Sequence, residues 1–508
     1  MPTDTRSPTR TGHAATIRHT SAAPGPITAP PGTRTPRQPR TGPLRRVRAA
    51  GTRGHIRLLA ACAALVTVGL VTLLLLEVNR ERDGLRTIGD QAGPEVIATS
   101  DLYFALNDMD AQIANVLLVG DAHDLGFTRT DALRIYEQRR QQADRDVRQA
   151  AVASTDPATQ QTLGAILDDL GQYEALAAQT ILLDQQNPHP PGRPTPATLA
   201  AYRQTTDLLK TQLLPAAHQL TDQHAAALEA TYRSQHDRIQ SMRVWVLVTG
   251  VLLLAVLLAL QIYLTRRFRR LLNPALAAAT ALAVTGVVLG TGLLTDEAEH
   301  LRSAKKDAFD SILVLTQARA VSYDANADES RYLVDPDRAA RYQQAFLDKS
   351  QQLATLTGAT LTTYDQTLAG AITAYQQANT NIGWTGFYGT EFRNITFTGE
   401  RAAAETTLLQ YQTYQRDDRQ IRALVAAGRL RDAIAFCTGY APGQSNYDFD
   451  QYDKALAALI AINQDAFSQS ITDGDHEIDG WTPALLVACA VILALTVIGI
   501  RPRLAEYR

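Results

Sequence analysis

The sequence predicts an all-α membrane protein, with four transmembrane helices and two tandem extracytoplasmic helical bundles. Three observations predict it. Four stretches, Leu58 to Leu76, Val244 to Thr265, Leu271 to Thr295 and Trp481 to Ile500, hold no Asp, Glu, Lys or Arg. Each is close to the roughly 20 apolar residues that a helix needs to cross a hydrocarbon core of about 30 Å. Threaded in order, these spans place every short basic flank on one side of the membrane. The long segments between them are rich in Ala, Leu, Gln, Asp and Arg and lack runs of alternating β-branched residues, which is helical composition.

Residues 1–54 read as a disordered basic tail, because Pro, Thr, Arg and Gly dominate and few aliphatic residues are present to bury. Eleven arginines stand against Asp4 within residues 1–57, so the positive-inside rule keeps this flank in the cytoplasm. The tail is either a topology signal or an arm held on anionic lipid or a cytoplasmic partner. The first span, 55–77, reads as an uncleaved anchor, since Glu77-Val78-Asn79-Arg80 after it offers no small-x-small cleavage site.

Segment 78–243 then lies outside. Leu106, Met109, Ile113, Val116, Leu117 and Gly120 recur at threes and fours, one face of a bundled helix. Breaks near Gly120 to Phe127, Ser154 to Pro157 and Asn187 to Pro196 divide the segment into four helices. The first and last of these are expected to run on from the membrane helices.

The second span, 244–265, returns inward to a basic turn, 266–272, carrying Arg266, Arg267, Arg269 and Arg270. The third, 273–295, contains Gly286 and Gly290 at the spacing that lets two membrane helices approach, either within the chain or in a homodimer. Segment 296–480 is the second outer bundle, 481–500 the last span, and 501–508 a cytoplasmic end with Arg501, Arg503 and Arg508. The expected location is the cell membrane, multi-pass, with both termini cytoplasmic.

The two halves share a layout, and residues match between them. Asp110-Ala111 with Asp121 resembles Asp324-Ala325 with Asp335, and Tyr136 corresponds to Tyr342 once a gap is allowed. The pattern reads as a duplication. Trp384 to Gly399 and Cys437 to Asn446 are additions in the second half.

Asp110 is the oddest polar residue, because Leu106, Ile113 and Leu117 place it inside the apolar stripe. A carboxylate there needs a partner or a ligand, and Arg134, Arg139 and Arg140 on the next helix are the expected partners. Thr398 is expected to cap a helix that carries Glu400 in its first turn and Arg401 after it. The stretch around Asn394, which also reads as a short glycosylation acceptor, is either that helix start or an exposed docking loop. Cys437 stands in a Gly/Pro loop without a nearby His, and Cys62 and Cys489 lie in spans, so neither a disulfide framework nor a nucleophile is expected. With no charged residue in the spans, no phosphate loop, no dinucleotide fingerprint and no HExxH, the expectation is a protein that is not an enzyme, pump or channel, without cofactor, metal or nucleic acid.

The layout of span, helical bundle and span is similar to the sensor portion of chemoreceptors and sensor kinases, here doubled. Phe397-Thr398-Gly399-Glu400-Arg401-Ala402-Ala403, with Cys437-Thr438-Gly439 and Gly443-Gln444-Ser445-Asn446, resembles a family of four-span membrane signalling proteins of high-GC bacteria that includes GlnX. The resemblance implies signal relay between an extracytoplasmic amino-acid-binding lipoprotein and a cytoplasmic Ser/Thr kinase. The candidate ligand- or partner-contacting residues are Asp110, Asp324, Asn394, Glu400, Arg401, Gln444 and Asn446, with Arg266, Arg267, Arg269 and Arg270 as the cytoplasmic relay. An envelope scaffold and a transport accessory protein are the rival readings.

Overall fold

Each apolar stretch is the membrane part of a longer helix in the computed structural model, which describes residues 52–153, 156–268, 273–478 and 480–505. The tail up to residue 51, Arg269 and Arg270 of the basic turn, and residues 506–508 lie outside the described residues. The described chain is helical, with one isolated antiparallel bridge between Thr355 and Thr385.

Helix α1 (Thr52–Arg86) leaves the membrane and passes through a widened π turn, Thr87–Ala92, into α2 (Gly93–Val119). Helices α3 (Arg129–Ala153) and α4 (Pro157–Gln186) follow, and α5 (Pro196–Leu208) passes through a second π turn, Leu209–Leu213, into α6 (Leu214–Phe268). The boundaries fall at the expected breaks for local reasons. Asp156 and Thr195 cap α4 and α5 by accepting from the Thr159 and Thr198 backbone N–H, and each is followed by a proline at the first helical position.

The second half repeats the plan. Helix α7 (Pro274–Arg302) passes through a π turn, Ser303–Phe309, into α8 (Asp310–Val334). Shorter helices follow: α9 (Ala339–Leu353), α10 (Tyr364–Gln377), α11 (Gly386–Asn394), α12 (Glu400–Ala426) and α13 (Leu430–Thr438). Helix α14 (Ser445–Ile478) returns toward α15 (Trp481–Ala505). The π turns that precede α2 and α8 stand at nearly the offset that relates Asp110 to Asp324, so the expected duplication extends to a backbone irregularity.

One compact unit runs from Ile56 to Arg508, and within it the two outer segments pack against each other along α2 and α8. Helix α2 is buried almost all round from Leu102 to Val119, not on a single stripe. Its polar positions are enclosed too, because α3 covers one side and α8 the other. The first core includes Leu333, Ile434 and Cys437 of the second segment, and the second core is built on aromatic residues, Trp384, Tyr388, Tyr411, Tyr414 and Tyr452 among them.

Just above the membrane, α14 wedges between the first and third π turns. A Cβ on Gly89 would lie 2.8 Å from Ile471, one on Gly93 would lie 3.1 Å from Phe467, and the Phe467 ring centre is 5.6 Å from that of Phe309. Bulk at either glycine would drive α14 off the turns.

In the membrane part, Leu65 is 75% exposed, Val251 64% and Val487 63%, an apolar surface suited to lipid. Within the membrane part of the chain, the closest glycine approach falls elsewhere than at Gly286 and Gly290. A Cβ on Gly286 would meet nothing within 4 Å and one on Gly290 would make ordinary contact with Leu74, whereas one on Gly250 would lie 2.6 Å from Val287. At the ends of the spans beside the basic turn, the Asn273 side chain donates to the Gly499 carbonyl at 2.6 Å and joins α7 to α15.

Gln160 and Gln366 are exposed on the outer segments and Asn273 lies at the opposite end of the spans. In a chain whose native cysteines are replaced by alanine, a cysteine at Gln160 or Gln366 should react with an impermeant maleimide on intact cells, and one at Asn273 should react only after lysis. The reverse pattern would invert the topology.

Candidate functional site

Helix α8 places Asp324, Asp328 and Arg331 at positions i, i+4 and i+7, so the three side chains line one face. That face meets α2. Arg331 has no exposed surface, and its guanidinium donates from Nε and Nη2 to Asp110 Oδ2 at 3.0 and 2.7 Å. Its Nη1 donates to Asp324 Oδ1 at 2.9 Å and to Asp328 Oδ1 at 2.6 Å. Asp110 also accepts from the Thr206 hydroxyl of α5 at 2.8 Å.

Two lysines close the network from outside. Lys210, in the second π turn, donates to Asp328 at 2.8 Å, and Lys349 of α9 donates to Asp324 at 2.7 Å and contacts Asp328 as well. Three carboxylates therefore meet three cations supplied by four elements of both segments.

The network stands well clear of the bilayer, since Asp324 is about 40 Å from the end of the third span at 1.5 Å per residue. Burial opposes the ionised form of Asp324, but the Lys210 and Lys349 ammonium groups and the Arg331 guanidinium outweigh it and hold its carboxyl below the usual range. Burial and the nearby Arg331 push Lys210 down, against the pull of Asp324 and Asp328.

Around this centre the segments are joined again. Ser330 donates to Asn115 at 3.0 Å, Arg203 forks onto Asp335 and reaches Asp337 at 2.9 Å, and Arg338 donates to Asp207 at 3.0 Å. Arg139 of α3 and Arg319 of α8 each lie 4.4 Å from the Phe104 ring centre, with Arg139 paired to Asp108 and Arg319 to Asp453. Beside the network a cleft of about 680 Å³ opens between the segments, lined by Tyr103, Lys210, His218, Asp324, Arg341 and Lys349. A smaller cavity of about 100 Å³ shares Tyr103 and His218 with it.

Of the residues singled out from the sequence, Asp110 and Asp324 come together here. The partner expected for Asp110 is corrected: Arg139 pairs with Asp108, and Asp110 takes Arg331 from the other half. The remaining candidates lie apart from the network. Asn394 donates to the carbonyls of Lys306 and Asp307 at 3.1 and 3.0 Å, within the third π turn. The cap expected from Thr398 is instead Gly399 at φ 87°, and Glu400 folds back to accept from the Thr396 and Phe397 backbone N–H at 2.7 and 2.9 Å. Arg401 donates to the Tyr375 hydroxyl at 2.7 Å. Gln444 accepts from the Ala441 N–H at 2.9 Å, and Asn446 is buried near the start of α14, at the end far from the membrane. Arg266 and Arg267 end α6.

Arg331, Asp328, Lys210 and Lys349 were not singled out from the sequence. Two signals bear on them: the i, i+4, i+7 charge spacing on α8, and the scarcity of lysine, which occurs five times against 44 arginines. Glu391 was missed as well. Its carboxyl is buried beside Glu400 and Ser311, and burial, then the Glu400 charge, push it up to about 8 against the pull of Ser311.

Residues 84–233 match the model of the actinobacterial sensor domain. The match begins at the outer end of α1 and stops in α6 before the membrane part, so it covers the first outer segment and supports a sensing role in an actinobacterial protein. No curated protein and no solved structure matches the chain.

Breaking one partner out of a buried ion pair costs about 3 to 5 kcal/mol, so Asp110→Asn should lower the unfolding free energy by about 3 kcal/mol. Asp156→Asn exchanges one good helix cap for another and should change it by less than about 0.5 kcal/mol. Denaturant unfolding of the full chain in detergent measures both.

A second outcome concerns proton binding. The folded chain holds the Glu391 proton up to about 8, against 4.5 for the free side chain, so its contribution is complete below pH 4.5 and is lost as the pH rises toward 8. Melting temperature across that window should fall less steeply in Glu391→Gln than in the unmodified chain.

Proposed function

We propose that this chain is a transmembrane signal transducer. The outer segments take up a signal, and a shift of the helices that cross the membrane presents it to a separate protein at the cytoplasmic face. The observation that most supports this reading is helix continuity. Pro196–Arg267 is one helical run of 72 residues that carries Lys210 of the network near one end and Arg266 at the other. Pro274–Val334, 61 residues, likewise carries Arg331, Asp328 and Asp324 on the helix that begins at the inner end of the third span. A change at the junction is thereby tied to the inner surface over about 90 Å of helix.

The π turns give this linkage a place to yield. A π turn holds one residue more than the helix around it, and moving that excess slides one part of a helix against the other without breaking it. Two of the three sit where α1 and α7 emerge toward the outer segments.

The resemblance of the Phe397 and Cys437 patches to GlnX-type proteins points to amino-acid availability, delivered by a solute-binding lipoprotein, as the signal and to a cytoplasmic Ser/Thr kinase as the reader. The transducer reading stands without those identities. A second reading, a non-signalling envelope scaffold, is favoured by one observation: the network balances three carboxylates with three cations and leaves no net charge to drive a change.

The inner basic turn separates the two readings. Replacing Arg266, Arg267, Arg269 and Arg270 with glutamine, with topology held by the tail arginines, should abolish signalling to a cytoplasmic kinase while binding outside persists. Phosphorylation of that kinase's substrates is the readout. Signalling that survives both this replacement and removal of residues 1–45 would leave the scaffold reading.

A further inference from the structure

The cleft beside the Arg331 network is open, polar at its base and walled by both segments. Its volume of about 680 Å³ lies within the range of small-molecule sites. Its charge is uneven. Lys210, Lys349 and Arg341 face it from the second π turn and α9, and Asp324 is the carboxylate at its base, while Asp222 at the rim already accepts from His218 at 3.0 Å.

Arg341 is exposed and makes no hydrogen bond or ion pair among the described residues. The two lysines are side by side on Asp324 and Asp328, with Arg331 behind them shared with Asp110, so the network itself is balanced and Arg341 is the cation left over at the cleft. Two of the chain's five lysines stand at this one place.

We propose that the cleft binds a small organic carboxylate. The Arg341 fork matches a carboxylate by geometry, and the lysine ammonium groups add point charges at shorter reach. Leu214, Pro215 and Ala345 supply an apolar wall for the body of the molecule. A cation would meet Lys210 and Lys349 first, and a neutral molecule would leave Arg341 unused.

The site also accounts for what such a ligand would change. An arriving carboxylate competes with Asp324 for Lys349 and with Asp328 for Lys210, so it loosens two bonds between elements that meet at the junction. Binding and the arrangement of the junction are then linked in both directions. This deepens the transducer reading and rests on it for the consequence, whereas the site itself is judged by binding alone.

The test is isothermal titration of the full chain in detergent with succinate, with uncharged succinamide and with inorganic phosphate. Succinate should bind saturably, succinamide should not, phosphate should bind at least tenfold more weakly, and Arg341→Gln should weaken succinate at least tenfold. Arg416→Gln, an exposed substitution outside the cleft, should leave it unchanged. No saturable succinate binding, equal binding by Arg341→Gln, or phosphate binding as tightly as succinate would each overturn the proposal. Failure of the transducer reading has a different signature. It would appear as Arg341-dependent succinate binding with no change in cysteine cross-linking between the inner ends of α6 and α7.

Discussion

A guanidinium without access to water must be surrounded by carboxylates, and Arg331 finds them on both halves of the chain. Taking such a group out of water costs several kcal/mol even after the surroundings relax. Asp324 and Asp328 from its own helix do not suffice geometrically, because Nε and Nη2 point at α2 and require Asp110 there. The second half therefore cannot bury α8 without the first, and the first cannot bury α2, which carries Asp108, Asp110, Gln112 and Asn115, without the second. The two outer bundles form one cooperative body, and the cleft exists because that body has a seam.

The seam is placed where the long helices converge. The network holds one end of those helices and the basic flanks mark the other, with irregular turns between them. The collar at Phe467 and Ile471 touches two of these turns at once, so α14 senses how α1 and α7 leave the membrane. Asn394 caps carbonyls in the turn before α8. A polar residue whose stretch reads from the sequence as a helix start or an exposed docking loop is thus consumed in holding a widened turn.

Local features were legible in the sequence, and long-range ones were not. The apolar spans and the breaks at Gly120, Pro157 and Pro196 follow from composition and from residues with few backbone options. Asp110 stood out because its neighbours are apolar, and its need for a partner was a physical necessity. The identity of that partner was not readable, since Arg331 is 221 residues away and periodicity carries no information about which helix packs on which. The same blindness made α2 look one-sided. Asn107, Asp108, Gln112 and Asn115 fall outside the apolar face read from the sequence, yet they are buried as well. The cleft was invisible for the same reason, as its walls come from elements of both halves.

The repeat has a consequence for charge. Under the offset that relates Asp110 to Asp324, Arg331 corresponds to Leu117, so the aspartate is present twice and the arginine once. Two identical copies meeting about a twofold axis would have to bring two arginines or none to that axis, and two buried guanidinium groups face to face would repel. Joining the copies in one chain removes the constraint of parity. A single cation can then serve a pair of equivalent carboxylates, and the two halves, no longer interchangeable, can move unequally when one of them is engaged.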